Sequence, residues 1–338
     1  MPVEVRFEYG LSSGSLNRTA YYNNGGLTAG SGSYSVTLSS LEPGTTYYYR
    51  AVIQVGNKDF YGSVKSFTTS SSSTQQDTGA GWLELPAGTS KTGQVNGHFG
   101  SGSSRNYSYL YDKNVYAPLW TAYPLTSSHT SGSANGSWAF NPNIEKSVQI
   151  DVKSSSYSSN YNAATYSRGH IVPRADRTGS SAMCKEVFYL TNQVPQIQTQ
   201  FNDGVWNSLE NAVRGLTNQA DTVYVTTGVC FQTAGGNETI DYIYAAKDDI
   251  YPKKVPIANY FYKVILKVRR DSTGKVTAAS AIGFWFEHRK YTDSYTNYAV
   301  SVDRIESMTG IDFFANLPDS VEATAESNTS WSNFQSFK

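Results

Sequence analysis

The sequence contains few charged residues, and basic and acidic side chains are equal in number. Charged residues make up 16% of the 338 residues, with 27 basic against 27 acidic side chains. Neutralisation of phosphates drives nucleic-acid binding, so a protein that depends on tight nucleic-acid affinity often carries a basic field. The zero net charge therefore argues against a tight architectural DNA binder. It leaves room for an enzyme, which needs only a local cluster of cations and must release its product.

Long apolar runs are also lacking, and cysteine is scarce. No run of about 18 apolar residues occurs, so we expect no membrane span. The two cysteines, Cys184 and Cys230, permit one disulfide, and two buried free thiols are the alternative.

No signal peptide is recognisable, because Met1-Pro2 leads at once into the strand-like run Val3–Tyr9. The polar residues are mostly hydroxyls and amides, a composition that suits β-rich extracellular proteins. We expect a secreted or cell-surface protein whose export signal has been removed. A cytosolic protein that begins here is the alternative.

Hydrophobic residues reach 39% of the chain, enough for a packed core, and the length favours two domains. We expect a module of short strands over residues 1–69, a polar linker over 70–80 and a larger α+β domain over 81–338. The sequence gives no sign of an internal repeat.

Residues 1–69 show the period-two pattern of strands. Ser33–Leu38 alternates polar and apolar residues, Pro43-Gly44 predicts a turn, and a second strand follows at Tyr48–Ile53. The turn Leu-x-Pro-x-Thr-x-Tyr, which ends at Tyr47, and the final Phe-Thr-Thr resemble the second half of a fibronectin type III domain. The resemblance implies a partial β-sandwich that lacks its leading strands and serves for spacing or attachment.

The larger domain mixes strand and helix patterns. Helices are predicted at 204–216, where Val205, Leu209, Val213 and Leu216 recur at helical spacing, and at 300–308, ended by Thr309-Gly310. Strands are predicted at 105–111, 148–153, 186–191, 222–229, 259–269 and 277–286.

The stretch Tyr166–Pro173 carries candidate chemistry. If it is extended, Arg168 and His170 fall on one face, and Gly169 between them allows another backbone or a ligand to approach. A guanidinium can bind a phosphate bidentately, and an imidazole can accept a proton near pH 7. These two side chains therefore point to work on a phosphate.

A second group of candidates follows along the chain. Asn202, just before the helix, offers a neutral oxygen, a plausible ligand for a hard cation such as Mg²⁺. It could equally be an ordinary helix cap. Glu210 and Arg214 lie four residues apart on one helical face, and an exposed ion pair is the alternative for them.

The ordered motifs together resemble the DNA/RNA non-specific endonuclease family, which has the ββα-metal fold with a central antiparallel sheet. The resemblance rests on Arg-Gly-His at 168–170, Asn-x-x-Pro-Gln at 192–196 and Asn-x-x-x-Trp-x-x-Leu-Glu-x-x-x-Arg at 202–214. Thr-Thr-Gly at 226–228 and the run from Tyr298 to Pro318 are also typical of the family, and the match spans about residues 81–331.

The resemblance implies a role for each motif residue. His170 would be the general base, Asn202 the direct protein ligand of Mg²⁺ or Mn²⁺, and Glu210 a hydrogen-bond partner of the metal's waters. Arg168 and Arg214 would hold the scissile phosphate, and Asn192 would orient the His170 region. DNA and RNA would be the substrates, cut to 5′-phosphate and 3′-hydroxyl ends, with no obligate protein partner.

Two departures from the family pattern support a different hypothesis. Ser167 stands where the family motif usually has Asp, and residues 126–138 lack an arginine that some members carry, for which Arg105 or Arg174 could substitute. The alternative is a non-catalytic extracellular protein that keeps the fold and binds nucleic acid or a surface. A phosphodiesterase for small nucleotides is a third interpretation.

Overall fold

The computed structural model forms two compact units, Met1–Ala80 and Gly81–Lys338. The residues that it describes are 2–29, 31–36, 38, 45–68, 81–87, 91–100, 105–153, 157, 166–245 and 250–337. The predicted linker at 70–80 and the predicted Pro43-Gly44 turn lie outside these residues.

The first unit contains one antiparallel sheet within its described part, with β3 at its centre. Its strands are β1 (Glu4–Gly10), β2 (Arg18–Tyr21), β3 (Thr46–Val55), β4 (Lys58–Tyr61) and β5 (Lys65–Thr68). The order is β2-β1-β3-β4, and β5 pairs with the start of β3. On β3, Tyr47 and Val52 are fully buried. The resemblance to part of a fibronectin module stays a prediction.

The strand predicted at Ser33–Leu38 is wrong for the positions that are described. Residues 33–36 and 38 form no strand, and Thr37 lies outside the described part. Val36 and Leu38 line an apolar cavity of about 340 Å³ together with Phe7, Tyr49 and Phe67. The alternating apolar residues therefore face side chains of the sheet rather than extend it.

The second unit is built on a seven-stranded antiparallel sheet, and the predicted α+β class is confirmed. The sheet order is β16-β15-β14-β11-β8-β7-β6, and β9-β10 and β12-β13 form separate two-stranded ribbons. The first strands are β6 (Gln94–Phe99), β7 (Tyr107–Asp112), β8 (Ala117–Leu125), β9 (Tyr166–His170), β10 (Gln193–Ile197) and β11 (Val223–Cys230). The later strands are β12 (Tyr242–Tyr244), β13 (Lys254–Pro256), β14 (Tyr260–Arg270), β15 (Val276–Glu287) and β16 (Ala299–Val300). The helices are α1 (Ser127–Thr130), α2 (Ser181–Val187), α3 (Asn207–Gly215), α4 (Val302–Thr309), α5 (Asp319–Glu326) and α6 (Trp331–Ser336).

Four of the predicted strands are confirmed, at 105–111, 222–229, 259–269 and 277–286, but two are wrong. Residues 186–187 are the end of helix α2, and residues 188–191 form a turn and the start of a 3-10 turn. The helix starts where the Ser180 hydroxyl accepts from the backbone N–H of Met183. Residues 148–153 make no ladder because the Gln193 side chain takes their backbone groups: it donates to Ile150 O at 2.9 Å and accepts from Val152 N at 3.4 Å.

Both predicted helices are confirmed, with shifted ends. Helix α3 buries Leu209 and Val213, and Leu216 is buried just after it. Helix α4 ends at Gly310, whose φ of 70° is the left-handed conformation that glycine adopts without a steric penalty.

The large sheet separates two apolar cores, because alternate residues of each strand point to opposite faces. On β14, Phe261 and Ile265 join the core that contains Trp206 of the α3 side. Tyr262 and Val264 join the second core, which includes residues of α4 and α5. The two helix groups therefore cover opposite faces of one sheet.

The two cysteines are free and buried, so the disulfide alternative is wrong. The Cys230 thiol donates to Gln232 O at 3.0 Å. Among the described residues, no helix is long and apolar enough to cross a membrane.

Candidate active site

The Arg-Gly-His motif lies on β9, which pairs antiparallel with β10. His170 is opposite Gln193 and Arg168 is opposite Pro195. A Cβ on Gly169 would come within 2.4 Å of Gln196 Cβ, so glycine is required for this close approach. The predicted shared face of Arg168 and His170 agrees with the geometry, because one ring, Trp138, lies beside both side chains.

The imidazole of His170 is enclosed by two aromatic rings. The ring of Trp138 lies 4.4 Å from it, centroid to centroid, and the ring of Phe188 lies 5.0 Å away, edge-on at 88°. The Nε2 atom is buried and has no hydrogen-bond partner among the described residues. Burial, followed by the charges of Arg174 and Arg168, lowers the pKa of His170 to about 3. The imidazole is therefore neutral near pH 7 and has a lone pair to accept a proton.

Trp138 is held in place by the backbone next to it. The N–H of Ala139 donates to Phe188 O at 3.1 Å, and the N–H of Leu190 donates to Ala139 O at 2.8 Å. The half-buried indole is thus a fixed wall beside His170. The sequence analysis missed it, since a lone tryptophan in a polar loop carries no periodic signal.

Asn192 supports the chain just after His170. Its fully buried amide accepts from the N–H of Val172 at 2.9 Å and donates to Val172 O at 3.0 Å and Val187 O at 2.8 Å. The backbone of Asn192 also accepts from Ile171 N. These bonds tie the end of β9 to the end of α2.

Asn202 lies beside the same ribbon, before α3. Its Nδ2 donates to Ser167 Oγ at 2.9 Å and to Gln198 Oε1 at 3.3 Å. Ser167 and His170 are three residues apart on β9, about 10 Å along a strand, and side chains an odd number of positions apart point to opposite faces. The bond to Ser167 therefore places Asn202 beside β9 but does not by itself bring it to the imidazole of His170.

Arg214 pairs with Asp176, not with Glu210. The Arg214 guanidinium lies 2.8 Å from Asp176 Oδ1, and the Tyr123 hydroxyl donates to Asp176 Oδ2 at 2.8 Å. Asp176 is only 2% exposed, so its charge depends on these partners. An exposed ion pair between Glu210 and Arg214 is thereby ruled out.

Glu210 has a different cation close by, the buried amine of Lys263 on β14. Burial raises the pKa of Glu210, and the positive charge of Lys263 opposes that rise most strongly. Burial lowers the pKa of Lys263, and the carboxylate of Glu210 opposes that fall. The Lys263 side chain is 1% exposed, and its Nζ lies 4.8 Å from the centre of the Trp206 ring.

Arg168 is engaged by Asp151. The guanidinium donates from Nε to Asp151 Oδ1 at 2.7 Å and from Nη2 to Oδ2 at 3.0 Å, a bidentate pair. A phosphate can accept in the same manner. The sequence analysis missed Asp151 as well as Asp176 and Lys263, because each acts on a residue distant along the chain.

Arg105 and Arg174, the two residues suggested as substitutes for an upstream arginine, have different surroundings. Arg105 forms an ion pair with the fully buried Glu84 at 2.6 Å and lies over the Trp82 ring. Arg174 is exposed, and its charge is the second cause of the low pKa of His170. Arg174 is therefore the candidate whose charge acts on the imidazole of His170.

The chain is similar to a known family in sequence and to a solved structure in fold. The profile of the family described as DNA/RNA non-specific endonuclease matches residues 91–320. A chain in the crystal structure of the EndoG/EndoGI complex matches with a TM-score of 0.53 and 23% identity, over 66% of this chain and 88% of that chain. This likeness shows a shared fold.

Several curated nucleases are similar in sequence. Nuclease EXOG, mitochondrial, of Danio rerio is 30% identical over 216 residues, 63% of this chain and 60% of that protein. The Homo sapiens protein of the same name is 29% identical, over 63% of this chain and 56% of that protein. Nuclease 1, mitochondrial, of Schizosaccharomyces pombe is 27% identical over 225 residues, 64% of this chain and 66% of that protein. The chain thus spans 56–66% of the length of these relatives.

These comparisons correct one expectation and confirm another. The prediction of a secreted or cell-surface location is wrong, because EXOG and Nuclease 1 are named as mitochondrial proteins. The resemblance seen in the motifs is confirmed by the profile, which covers most of the second unit. The chain belongs to the DNA/RNA non-specific endonuclease family.

Proposed function

We propose that this protein is a metal-dependent endonuclease that hydrolyses the phosphodiester bonds of DNA and RNA without sequence specificity. The observation that supports this most directly is the Nε2 atom of His170, which is buried and has no hydrogen-bond partner among the described residues. The cationic side chain of Arg168 lies two positions earlier on the same strand. A neutral imidazole next to a phosphate-binding cation is what proton abstraction at a phosphodiester needs.

The reaction begins with a water molecule next to His170. The Nε2 atom takes a proton from the water, whose oxygen bonds to phosphorus while the bond from phosphorus to the 3′-oxygen breaks. The leaving 3′-oxygen takes a proton from solvent, and His170 afterwards releases its own proton to solvent. The products are a 5′-phosphate and a 3′-hydroxyl. A bound phosphodiester is anionic, so it offsets the charges of Arg168 and Arg174 and raises the pKa of His170 from its low ligand-free value of about 3. Substrate binding thus makes the base stronger.

Arg168 changes partners when substrate binds. Its bidentate bonds to Asp151 are replaced by equivalent bonds to phosphate oxygens, so one anion substitutes for another at the guanidinium. Contacts of this kind reach the backbone and read no base edges. Cleavage without sequence preference follows from them.

The donor set fits a hard divalent cation, Mg²⁺ or Mn²⁺. Asn202 would hold the ion through Oδ1, because its Nδ2 already donates to Ser167 and Gln198. Glu210 would accept hydrogen bonds from the ion's waters, and the charge of Lys263 opposes the burial that raises the pKa of this carboxylate. When bound, the ion supplies charge neutralisation at the phosphate and the leaving oxygen.

The test is digestion of plasmid DNA and total RNA by the full chain, in Mg²⁺ and in EDTA, with His170→Ala beside the parent. We expect cleavage in Mg²⁺ alone, and a loss of about 10²–10⁴-fold in rate for His170→Ala. His98→Ala is the matched control and should keep the parent rate, because His98 packs edge-on against Trp82 and belongs to none of the motifs.

Two outcomes would contradict the proposal. Full activity of His170→Ala would remove His170 as the base. Intact substrate under all conditions, together with retained DNA binding, would favour the non-catalytic binding protein.

We also propose that residues 1–69 are a separate attachment module, joined through 70–80 to the nuclease domain at 81–338. Limited proteolysis should cut first at the junction and release a stable fragment that starts near Gly81. Preferred cleavage elsewhere would contradict this division.

A further inference from the structure

Three carboxylates meet on the face of the sheet that lies opposite the candidate active site. They belong to Asp303 and Glu306 on α4 and to Glu326 at the end of α5. One carboxylate oxygen from each lies within 4.8 Å of the other two. Helices α4 and α5 contribute to the second core, away from Trp206 and the α3 side.

Glu326 is buried without a complete set of partners. It is 5% exposed, and its Oε1 has no hydrogen-bond partner among the described residues. Glu306 is only partly satisfied from within, since its Oε1 accepts from the backbone N–H of Phe313 at 2.7 Å. A buried carboxylate must be neutralised by a proton, a cationic side chain or a metal ion.

The surroundings of Glu326 are acidic. After burial, the largest causes that raise its pKa, to about 9, are the charges of Glu306, Glu322, Asp303 and Asp312. Each of these is a carboxylate. The neighbourhood therefore attracts a cation.

The spacing suits one hard ion. Calcium binds oxygen ligands at about 2.3–2.6 Å, so oxygens that lie within 4.8 Å of one another can share one ion. Magnesium usually keeps several waters and is bound through one or two carboxylates, so a site of three carboxylates favours calcium. Asp303 is exposed, so water can complete the coordination from the solvent side.

We propose that Asp303, Glu306 and Glu326 bind one divalent cation, Ca²⁺ in preference to Mg²⁺, which joins α4 to the end of α5. The ion stabilises the packing of these helices on the sheet and takes no part in cleavage. The proposal does not depend on the proposed nuclease activity.

The test is calcium binding by isothermal titration calorimetry, with thermal unfolding of the same samples. The full chain carries Asn202→Ala, so that the proposed catalytic metal ligand does not contribute. We expect one bound Ca²⁺ and an unfolding temperature that rises by several degrees with Ca²⁺. Adding Glu326→Gln should abolish both effects, because the charged buried ligand is lost.

Two further variants make the result decisive. Glu322→Gln is the matched control, a nearby carboxylate outside the cluster, and should keep the binding. Asp303→Asn changes an exposed ligand without disturbing the core, and should weaken Ca²⁺ binding by about tenfold or more, as expected when ligand charge is removed. Absence of Ca²⁺ uptake, or unchanged uptake after Glu326→Gln, would overturn the proposal and leave a protonated Glu326 as the explanation.

Discussion

Buried acidic side chains have neighbours of opposite charge on one face of the large sheet and of like charge on the other. On the face that carries the candidate active site, Asp176 has Arg214 as its ion-pair partner and Glu210 has Lys263 close by. On the other face, Glu326 is surrounded by carboxylates. A neighbouring cation favours the ionised form of a buried carboxylate, whereas neighbouring carboxylates favour its protonation or the binding of a cation. The charge of a buried group is thus set by its neighbours across the fold.

The largest expected effect comes from breaking a pair on the active-site face. Arg214→Leu removes the ion-pair partner of the buried Asp176 carboxylate, so we expect the free energy of unfolding to fall by about 3–5 kcal/mol. Urea denaturation followed by near-UV circular dichroism measures this. The double variant Asp176→Asn/Arg214→Leu should recover most of the stability. A single variant within about 1 kcal/mol of the parent would show that the pair contributes little.

The next effect concerns the pH dependence of cleavage. Lys263→Met removes the charge that opposes the raised pKa of Glu210, so that pKa rises further. Because the proposed role needs an ionised carboxylate, the acidic limb of the pH–rate profile should move to higher pH, with activity recovering in alkali. Lys267→Met is the control: this lysine lies on the same strand, and its amine donates to Gln335 O and Phe337 O. An unshifted limb in Lys263→Met would contradict the assignment.

A third prediction sharpens the contrast at Glu326. The pKa of Glu326 in the folded protein is raised to about 9. In EDTA, the stabilisation that comes from this raised pKa is therefore fully present below the carboxyl pKa of the unfolded chain, and it is lost as the pH rises toward 9. Glu326→Gln should remove this slope and unfold a few degrees higher than the parent at pH 8. Glu238→Gln should leave the slope in place, because this carboxylate lies outside the cluster and has a lowered pKa. The prediction fails if both variants follow the parent curve.

The smallest effect is expected at Ser167, where the family motif usually has Asp. Ser167→Asp keeps an acceptor for Asn202 Nδ2, now a stronger charge-assisted one, but loses the bond from Oγ to Gln196 O. We expect a change in cleavage rate of less than about tenfold, with a lower Mg²⁺ concentration for half-maximal rate. Ser167→Ala should shift the Mg²⁺ requirement the other way. Titrations of Mg²⁺ that coincide for all three proteins would mean that Ser167 does not orient Asn202.

The sequence analysis succeeded where local pattern and local structure coincide. Strands were predicted at the positions of β11, β14 and β15, and helical spacing identified α3. The explicit period-two pattern at Ser33–Leu38 forms no strand at its described positions. The strand prediction also failed at 148–153, where the Gln193 side chain occupies the backbone groups that a neighbouring strand would use. Nothing within 148–153 indicates a glutamine some 40 positions later.

The site residues show the same division between what a local pattern predicts and what remote segments of the chain decide. The order of Arg168, His170, Asn202 and Glu210 in motifs of fixed spacing was enough to predict the family. The residues that control them, such as Asp151, had no local signal, because each approaches from a different part of the chain.

By itself, the sequence determined the family, the α+β class and the residues of the proposed reaction, because these depend on spacing within short segments. Only the tertiary structure decided which cation partners each carboxylate, which ring encloses the imidazole of His170, and that Glu326 meets two acids of another helix. Burial and electrostatic energy depend on distances in space, and those distances are set when remote segments pack against the sheet.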